Sequence, residues 1–218
     1  MSALKDKILL ATLAHVPFDG WSRAALKLGV LDAGLERDLG LGAFPGGMVE
    51  VAAYCSAYFD RRMVEELERQ NITEMKVSER VAAAVRARLE ELAPHREACR
   101  RLLSFLALPP NAGLAASCTW KTVNAMWYAA GDTATDFNFY TKRALLASVY
   151  VSTVLYWLGD DSEDFADTWE FLDRRIAGVM RIPKIKARVA EALARIPSPF
   201  RIWRGLSGGR RGTKPSER

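Results

Sequence analysis

Residues 126–144 read MWYAAGDTATDFNFYTKRA. Their spacing predicts a helix, a loop that contains a glycine, and a second helix. Gly131 can adopt the left-handed conformation that ends many helices. Thr135 can cap the second helix, which places Asp136 in its first turn, where the helix dipole favours an acid. Tryptophan, tyrosine and phenylalanine are denser here than a simple turn needs, so this helix pair is the first candidate for a functional region.

Helical spacing continues on both sides of this pair, and alternating β-branched runs are absent. The sequence therefore predicts an all-α bundle of about ten helices, including a C-terminal amphipathic helix. A long helix should follow Pro45-Gly46-Gly47 and run through Gln70. The other predicted helices cover residues 3–14, 21–28, 34–39, 78–93, 94–106, 111–130, 137–158, 162–180 and 183–196.

The chain has 218 residues, half of them hydrophobic, which is enough for one domain with a full core. Cys55, Cys99 and Cys118 form no CxxC pair, so we interpret them as buried small hydrophobes in a reducing compartment. Lys5, Asp6 and Lys7 interrupt the start of the chain, which argues against a targeting segment. We therefore expect a bacterial cytoplasmic protein that is peripheral to the inner membrane.

Positive charge is concentrated at the C-terminus. The net charge is +5, and residues 181–218 hold eleven Lys and Arg against two Glu, so this segment carries +9 and the remainder carries −4. A basic segment on a mildly acidic body indicates an anionic partner for that segment alone. We divide the chain into a helical domain at 1–181, an amphipathic helix with its extension at 182–206, and a disordered basic tail at 207–218.

The predicted helix at 183–196 has one narrow apolar face with cations beside it. Such a helix suits the headgroup region of an anionic membrane, although packing against the protein's own body is the alternative. The predicted membrane-binding residues are Ile185, Val189, Leu193, Ile196, Lys184 and Arg188.

The signature at 126–144 resembles the coenzyme Q protein nine family, the lipid-binding accessory proteins of ubiquinone biosynthesis. Val16-Pro17 with Gly20-Trp21, Leu108-Pro109, and Asp167-Thr168-Trp169 extend the resemblance over roughly residues 5 to 180. The resemblance implies a TetR-like fold and a homodimer. It also implies a non-catalytic protein without cofactor or metal, which binds an isoprenoid quinone precursor or a phospholipid and presents it to demethoxyubiquinone hydroxylase.

Residues 144–159 carry no charge and are apolar around the whole helix, but they are fewer than the ~20 residues that a membrane span needs. The segment fits a plain core helix and also one wall of an apolar ligand cavity, and both remain open. With the family resemblance, the candidate lipid-binding residues are Trp120, Phe137, Tyr140, Leu145, Tyr150, Tyr156 and Trp157.

Asn124, Trp127 and Tyr128 lie on one predicted face near the end of the signature helix. The resemblance makes them candidates for docking the hydroxylase, with Trp127 the strongest because an exposed tryptophan is a typical interface anchor. The alternative is that Trp127 belongs to the core.

Other functions find less support. In a lipid-responsive TetR-type regulator, residues 32–41 would be the recognition helix, but Asp32, Glu36 and Asp38 would repel phosphate, so we expect no nucleic-acid partner. No motif of a hydrolase, nucleotide-binding protein or zinc enzyme occurs in the sequence. The acidic run at 160–164 is better explained as the start of a helix than as a calcium loop.

Overall fold

A computed structural model of the chain describes residues 2–132 and 137–179, except for the side chains of Arg37, Leu39, Phe137 and Asn138. The first compact unit of the chain is Met1–Ile176. Its described part consists of helices joined by turns and contains no strand, which confirms the predicted all-α class. The helices are α1 Ser2–Asp19, α2 Arg23–Asp32, α3 Arg37–Gly42, α4 Gly47–Gln70, α5 Val77–Leu92, α6 Arg96–Leu106, α7 Ala112–Ala129, α8 Phe137–Trp157 and α9 at 166–179.

The first two helices pack closely because Gly29 of α2 has no side chain. A Cβ atom on Gly29 would lie only 2.6 Å from the Cα of Thr12 in α1. The hydroxyl of Thr12 is fully buried and donates to the carbonyl of Ile8 at 2.7 Å, so it brings no unpaired polar group into this contact. This contact fixes α2 against α1 at the start of the bundle.

Two N-terminal boundaries differ from the prediction. The helix α1 does not end at Ala14 but continues through Pro17 to Asp19, and Gly20 then takes a left-handed conformation with φ of +68°. Gly34, which was expected inside the third helix, also has φ of +68° and instead follows the end of α2. Proline removes only one backbone donor, whereas glycine allows the left-handed turn, so the glycines set these ends.

The centre of the bundle is α4, which packs on α5 and α7, while α7 also packs on α8. The helix α4 ends at Asn71, whose left-handed φ of 49° closes the last turn. The helix α7 ends before Gly131, whose φ is +84°, as the sequence indicated. In the described part of the chain no single helix is long and apolar enough to cross a membrane; only the pair Val77–Leu106 and Pro109–Ala129, bent by 97°, passes on length and composition.

Asp160 organises the connection between α8 and α9. Its carboxylate accepts hydrogen bonds from the backbone N–H groups of Ser162 at 2.8 Å and Thr168 at 2.9 Å, and from both hydroxyls. Burial alone would raise the pKa of Asp160, but these hydrogen bonds lower it to about 2. The acidic run at 160–164 therefore lies at the start of a helix, as predicted, although a short 3₁₀ turn at Glu163–Phe165 precedes α9.

Candidate functional site

A cavity of about 100 Å³ lies between five helices, α4 to α8. It forms where α5 and α7 pack on α4 and α8 packs on α7. Its lining combines apolar side chains with a small polar group. The lining residues are Ala52, Cys55, Ser56, Phe59, Arg88, Leu92, Cys99, Leu102, Leu103, Leu106, Cys118, Thr119, Thr122, Tyr150, Val151, Val154 and Leu155.

One side of the cavity reaches the molecular surface. Val151 and Leu155 line it from α8 and are 42% and 61% exposed. Leu103 and Leu106 of α6 are partly exposed lining residues. Aliphatic side chains therefore continue from the interior to the surface, an arrangement that suits an apolar ligand longer than the cavity itself.

A polar cluster, formed by Ser56, Asp60, Arg88, Thr122 and Tyr150, also borders the cavity. Arg88 is 4% exposed, and its Nη1 donates to Oδ1 of Asp60 at 2.5 Å while its Nε donates to the hydroxyl of Tyr150 at 2.8 Å. The hydroxyl of Thr122 donates to Oδ2 of Asp60 at 3.2 Å and lies 3.4 Å from that of Ser56. A buried guanidinium and a carboxylate are thus paired beside a mostly apolar lining.

Burial shifts the titration of the groups around the cavity. It raises the pKa of Asp60, and the Arg88 charge and the Thr122 hydrogen bond oppose that rise. It raises the pKa of Cys99 to about 11 and that of Cys55 further, so both thiols stay protonated and are weak nucleophiles at neutral pH. The three cysteines are free and buried, as the sequence suggested.

Of the seven candidate lipid-binding residues, only Tyr150 lines the cavity. Trp157 is fully buried in the core, and Leu145 is half-buried outside the lining. Three aromatics lie on the surface instead, and the side chain of Phe137 is outside the described part. The surface residues are Trp120, which stacks on Tyr140 with ring centroids 6.1 Å apart, and Tyr156, which stacks on Phe171 at 4.6 Å.

The predicted docking face separates into a buried and an exposed part. Trp127 is 7% exposed, so its indole packs within the chain and is not an exposed anchor. The amide oxygen of Asn124 accepts from Nε of Arg143 at 2.7 Å, and Arg143 itself is fully buried. Tyr128 is 62% exposed and is therefore the accessible member of this set.

The predicted membrane-binding residues, from Lys184 to Ile196, lie outside the described residues. Within 2–132 and 137–179, no group of three or more His, Cys, Asp or Glu is placed to hold a metal ion. Because its lining is mostly apolar and the polar cluster borders it, the cavity can bind an apolar molecule with one polar end.

Sequence reasoning missed the contribution of α4, α5 and α6 to the cavity. One signal was available. Arg88 follows Val81, Ala84 and Val85 at helical spacing, so a charge falls on the core face of α5. A buried charge needs a partner, and Asp60 of α4 supplies it.

The order and packing of the helices define a TetR-like fold. The chain superposes on a TetR transcriptional regulator from Nitrosomonas europaea with a TM-score of 0.69, covering 83% of this chain and 99% of that one at 20% sequence identity. At this identity the likeness concerns the fold alone. Residues 112–183, which include α7, α8 and the described part of α9, match the COQ9 family model.

The chain belongs to the COQ9 family. It is 35% identical over 185 residues to the mitochondrial ubiquinone biosynthesis protein COQ9 of Rattus norvegicus and likewise to that of Homo sapiens, with 82% of this chain covered in both. It is 34% identical over 194 residues to the mitochondrial COQ9-B of Xenopus laevis. The chain spans 59% and 58% of the rat and human proteins.

These relatives correct the predicted location. The expectation of a bacterial cytoplasmic protein, peripheral to the inner membrane, is wrong in the light of relatives that are named as mitochondrial proteins of animals. The expectation rested on the charged residues at the start of the chain. Since the chain spans little more than half of the rat protein, its start carries no information on targeting.

Proposed function

We propose that this protein is a non-catalytic lipid-binding accessory protein of ubiquinone biosynthesis. It binds an isoprenoid quinone precursor and presents it to a membrane-associated hydroxylase. Membership of the COQ9 family supports the pathway, because the relatives are named ubiquinone biosynthesis proteins. The observation that carries the binding role is the cavity between α4 and α8, with its aliphatic lining and its opening beside Val151 and Leu155.

The size of the cavity limits how the ligand is held. Ligand pockets typically enclose about 300–1,000 Å³, whereas this cavity has about 100 Å³. With its present volume the cavity can therefore enclose only part of a complete isoprenoid quinone. The rest of its chain lies along the apolar surface beside Val151 and Leu155, or α6 and α8 separate to admit it.

Solvent extraction of protein purified without detergent, followed by mass spectrometry, tests the binding role. Leu155→Glu places a carboxylate at the cavity opening and should reduce the extracted quinone about tenfold or more, because an apolar chain cannot pair that charge. Leu31→Glu is the matched control, since Leu31 of α2 is 58% exposed, close to the 61% of Leu155, and does not line the cavity. Lipid-free wild-type protein, or equal loss in both variants, would contradict a lipid site at this cavity.

Docking of the hydroxylase is proposed at the face of Tyr128. A Trp127→Lys variant would disturb the core, because Trp127 is buried, so Tyr128 is the better residue to change. Tyr128→Ala should weaken a pull-down of demethoxyubiquinone hydroxylase, while Tyr140→Ala should not. The two tyrosines are 62% and 63% exposed, so the comparison is matched in accessibility. Equal pull-down by both variants would remove this face from the proposal.

A homodimer and a membrane contact complete the proposal. The exposed and uncharged Ala144 and Ser148 of α8, which precede the cavity opening at Val151 and Leu155, are the proposed dimer surface, and sedimentation of Ser148→Glu tests it. The basic segment after residue 181 is proposed to bind anionic membranes. Its removal should reduce liposome flotation, and rising salt should partly release the full chain.

A lipid-responsive regulator is the alternative function, because the fold resembles a TetR regulator. A recognition helix must present cations and base-reading side chains to DNA. The helix α3 has only six residues, two of them glycine, and Asp38 is exposed in its first turn. Asp32 and Glu36 beside it are also exposed. Neither the length nor the charge of this region favours DNA binding.

A further inference from the structure

We propose that the polar cluster beside the cavity receives the ring oxygen of a neutral quinone or phenol, so that the ligand inserts its headgroup first. This inference rests on the proposed lipid-binding function and specifies the headgroup that the cavity selects. It assigns Tyr150 as the donor to the ligand and Arg88 with Asp60 as the pair that positions the Tyr150 hydroxyl.

The hydrogen bonds of the cluster leave one donor for a ligand. The hydroxyl oxygen of Tyr150 accepts from Nε of Arg88 at 2.8 Å, so the phenol keeps its own proton for another acceptor. No residue in the described part of the chain accepts that proton, and Tyr150 lines the cavity. Tyr150 is half-buried at the cavity wall, and a carbonyl or phenol oxygen in the cavity would accept the proton of its hydroxyl.

The charges of the cluster select against acids. Arg88 is a buried cation, but Asp60 lies 2.5 Å from it and neutralises it. A carboxylate or phosphate in the cavity would therefore face a paired cation and a nearby carboxylate, and it would lose its hydration without a free countercharge. A neutral oxygen acceptor needs only the Tyr150 hydrogen bond. The cluster thus favours a quinone or phenol over a fatty acid or phospholipid headgroup.

The dimensions require the cavity to widen before a ring enters. An apolar cavity of about 150 Å³ holds benzene, and the cavity here has about 100 Å³. A quinone ring therefore enters only when the leucine side chains of α6 that line the cavity move outward. Its apolar chain then leaves beside Val151 and Leu155, where the lining reaches the surface.

Binding of decylubiquinone and of decylbenzene, which lacks the ring oxygens, tests the inference by tryptophan fluorescence or calorimetry. Tyr150→Phe should weaken decylubiquinone binding about threefold to tenfold, the usual range for one neutral hydrogen bond, and leave decylbenzene binding unchanged. Tyr156→Phe is the matched control, because Tyr156 is on the same helix but outside the cavity. Decanoate should bind the wild type more weakly than decylubiquinone does.

A second readout does not depend on the fold of a variant. In infrared difference spectra, the carbonyl stretch of ¹³C-labelled decylubiquinone should lie at lower frequency when it is bound to the wild-type protein than when it is free. This shift is expected for a carbonyl that accepts a hydrogen bond. An unshifted carbonyl, unchanged quinone affinity in Tyr150→Phe, or decanoate binding as tight as quinone binding would overturn the headgroup assignment while the lipid site stands. If neither decyl ligand binds the wild type, the proposed function fails and the assignment fails with it.

Discussion

The paired charges of Asp60 and Arg88 should be a strong determinant of stability, and Asp60→Asn tests this. The substitution keeps the shape of the side chain and one oxygen acceptor but removes the negative charge. The side chains of Arg88 and Asp60 are 5% and 13% exposed, so the guanidinium would remain buried without a countercharge. Tyr150 and Ser56 would still accept hydrogen bonds from it, but neither carries a charge.

The expected loss follows from the burial of the pair. Removing one partner of a buried ion pair typically costs about 3–5 kcal/mol, and the oxygen acceptor that asparagine keeps places this variant near the lower end, at about 3 kcal/mol. With a urea m-value of about 1–3 kcal/mol/M, the unfolding midpoint should fall by about 1–3 M. Circular dichroism of the helices during urea titration, at one fixed protein concentration, measures this shift.

Glu170→Gln is the matched control for this experiment. Glu170 pairs with Arg174 one helical turn away on α9, and the two side chains are 71% and 57% exposed. The chemical change is the same, but exposed pairs contribute only about 0.2–1 kcal/mol. Equal effects of the two substitutions, or a change below about 0.5 kcal/mol for Asp60→Asn, would refute the argument that burial makes this pair important.

Two further predictions concern the ends and contacts of helices. Burial would raise the pKa of Asp160, but the hydrogen bonds from Ser162 and Thr168 lower it to about 2. The stabilisation is therefore full above pH ~4 and is lost as the pH falls towards the folded pKa. Asp160→Asn should destabilise the protein more at pH 7 than at pH 2 in urea titrations; an equal loss at both pH values would contradict the role of its charge. Gly29→Ala should cost about 1–3 kcal/mol through overpacking against the backbone of α1. Gly113→Ala, on an open helical surface, should be neutral or stabilising by up to about 1 kcal/mol. Urea titrations of both variants measure these changes, and similar effects of the two would contradict the close packing of α1 on α2.

The helices of the centre and C-terminal half could be predicted because the sequence marks their ends. The predicted helix at 111–130 is α7 at Ala112–Ala129, between Pro109-Pro110 and Gly131. The predicted helix at 137–158 is α8 at Phe137–Trp157. At the N-terminus the same reasoning failed, because Pro17 lies within α1 and Gly34 closes α2. Local signals indicate where a helix can end, and tertiary packing decides which of them is used.

The cavity was much harder to predict than the helices. Its lining comes from five helices and extends in sequence from Ala52 to Leu155, so no local pattern contains it. From residue 144 onward α8 is apolar on every side, and periodicity does not tell which side faces a neighbour. Tyr150 therefore could not be distinguished from Trp157 or Tyr156 by sequence, although the structure places them in the cavity, the core and the surface.

The fold of this protein does not determine its function, whereas the chemistry of the cavity bears on it directly. A TetR-like bundle is common to this chain and to a transcriptional regulator at only 20% identity, so the architecture does not determine the function. The functional difference must then lie in side chains that the architecture leaves free to vary. In α3 these include an exposed Asp38 where a DNA-binding protein needs cations. Around the cavity formed by α4 to α8 they are a mostly apolar lining, one neutralised ion pair, and the hydroxyls of Ser56, Thr119, Thr122 and Tyr150. Because an apolar cavity alone would accept any lipid tail, we expect the Arg88, Asp60 and Tyr150 group to be the part of the proposed lipid site that distinguishes one headgroup from another.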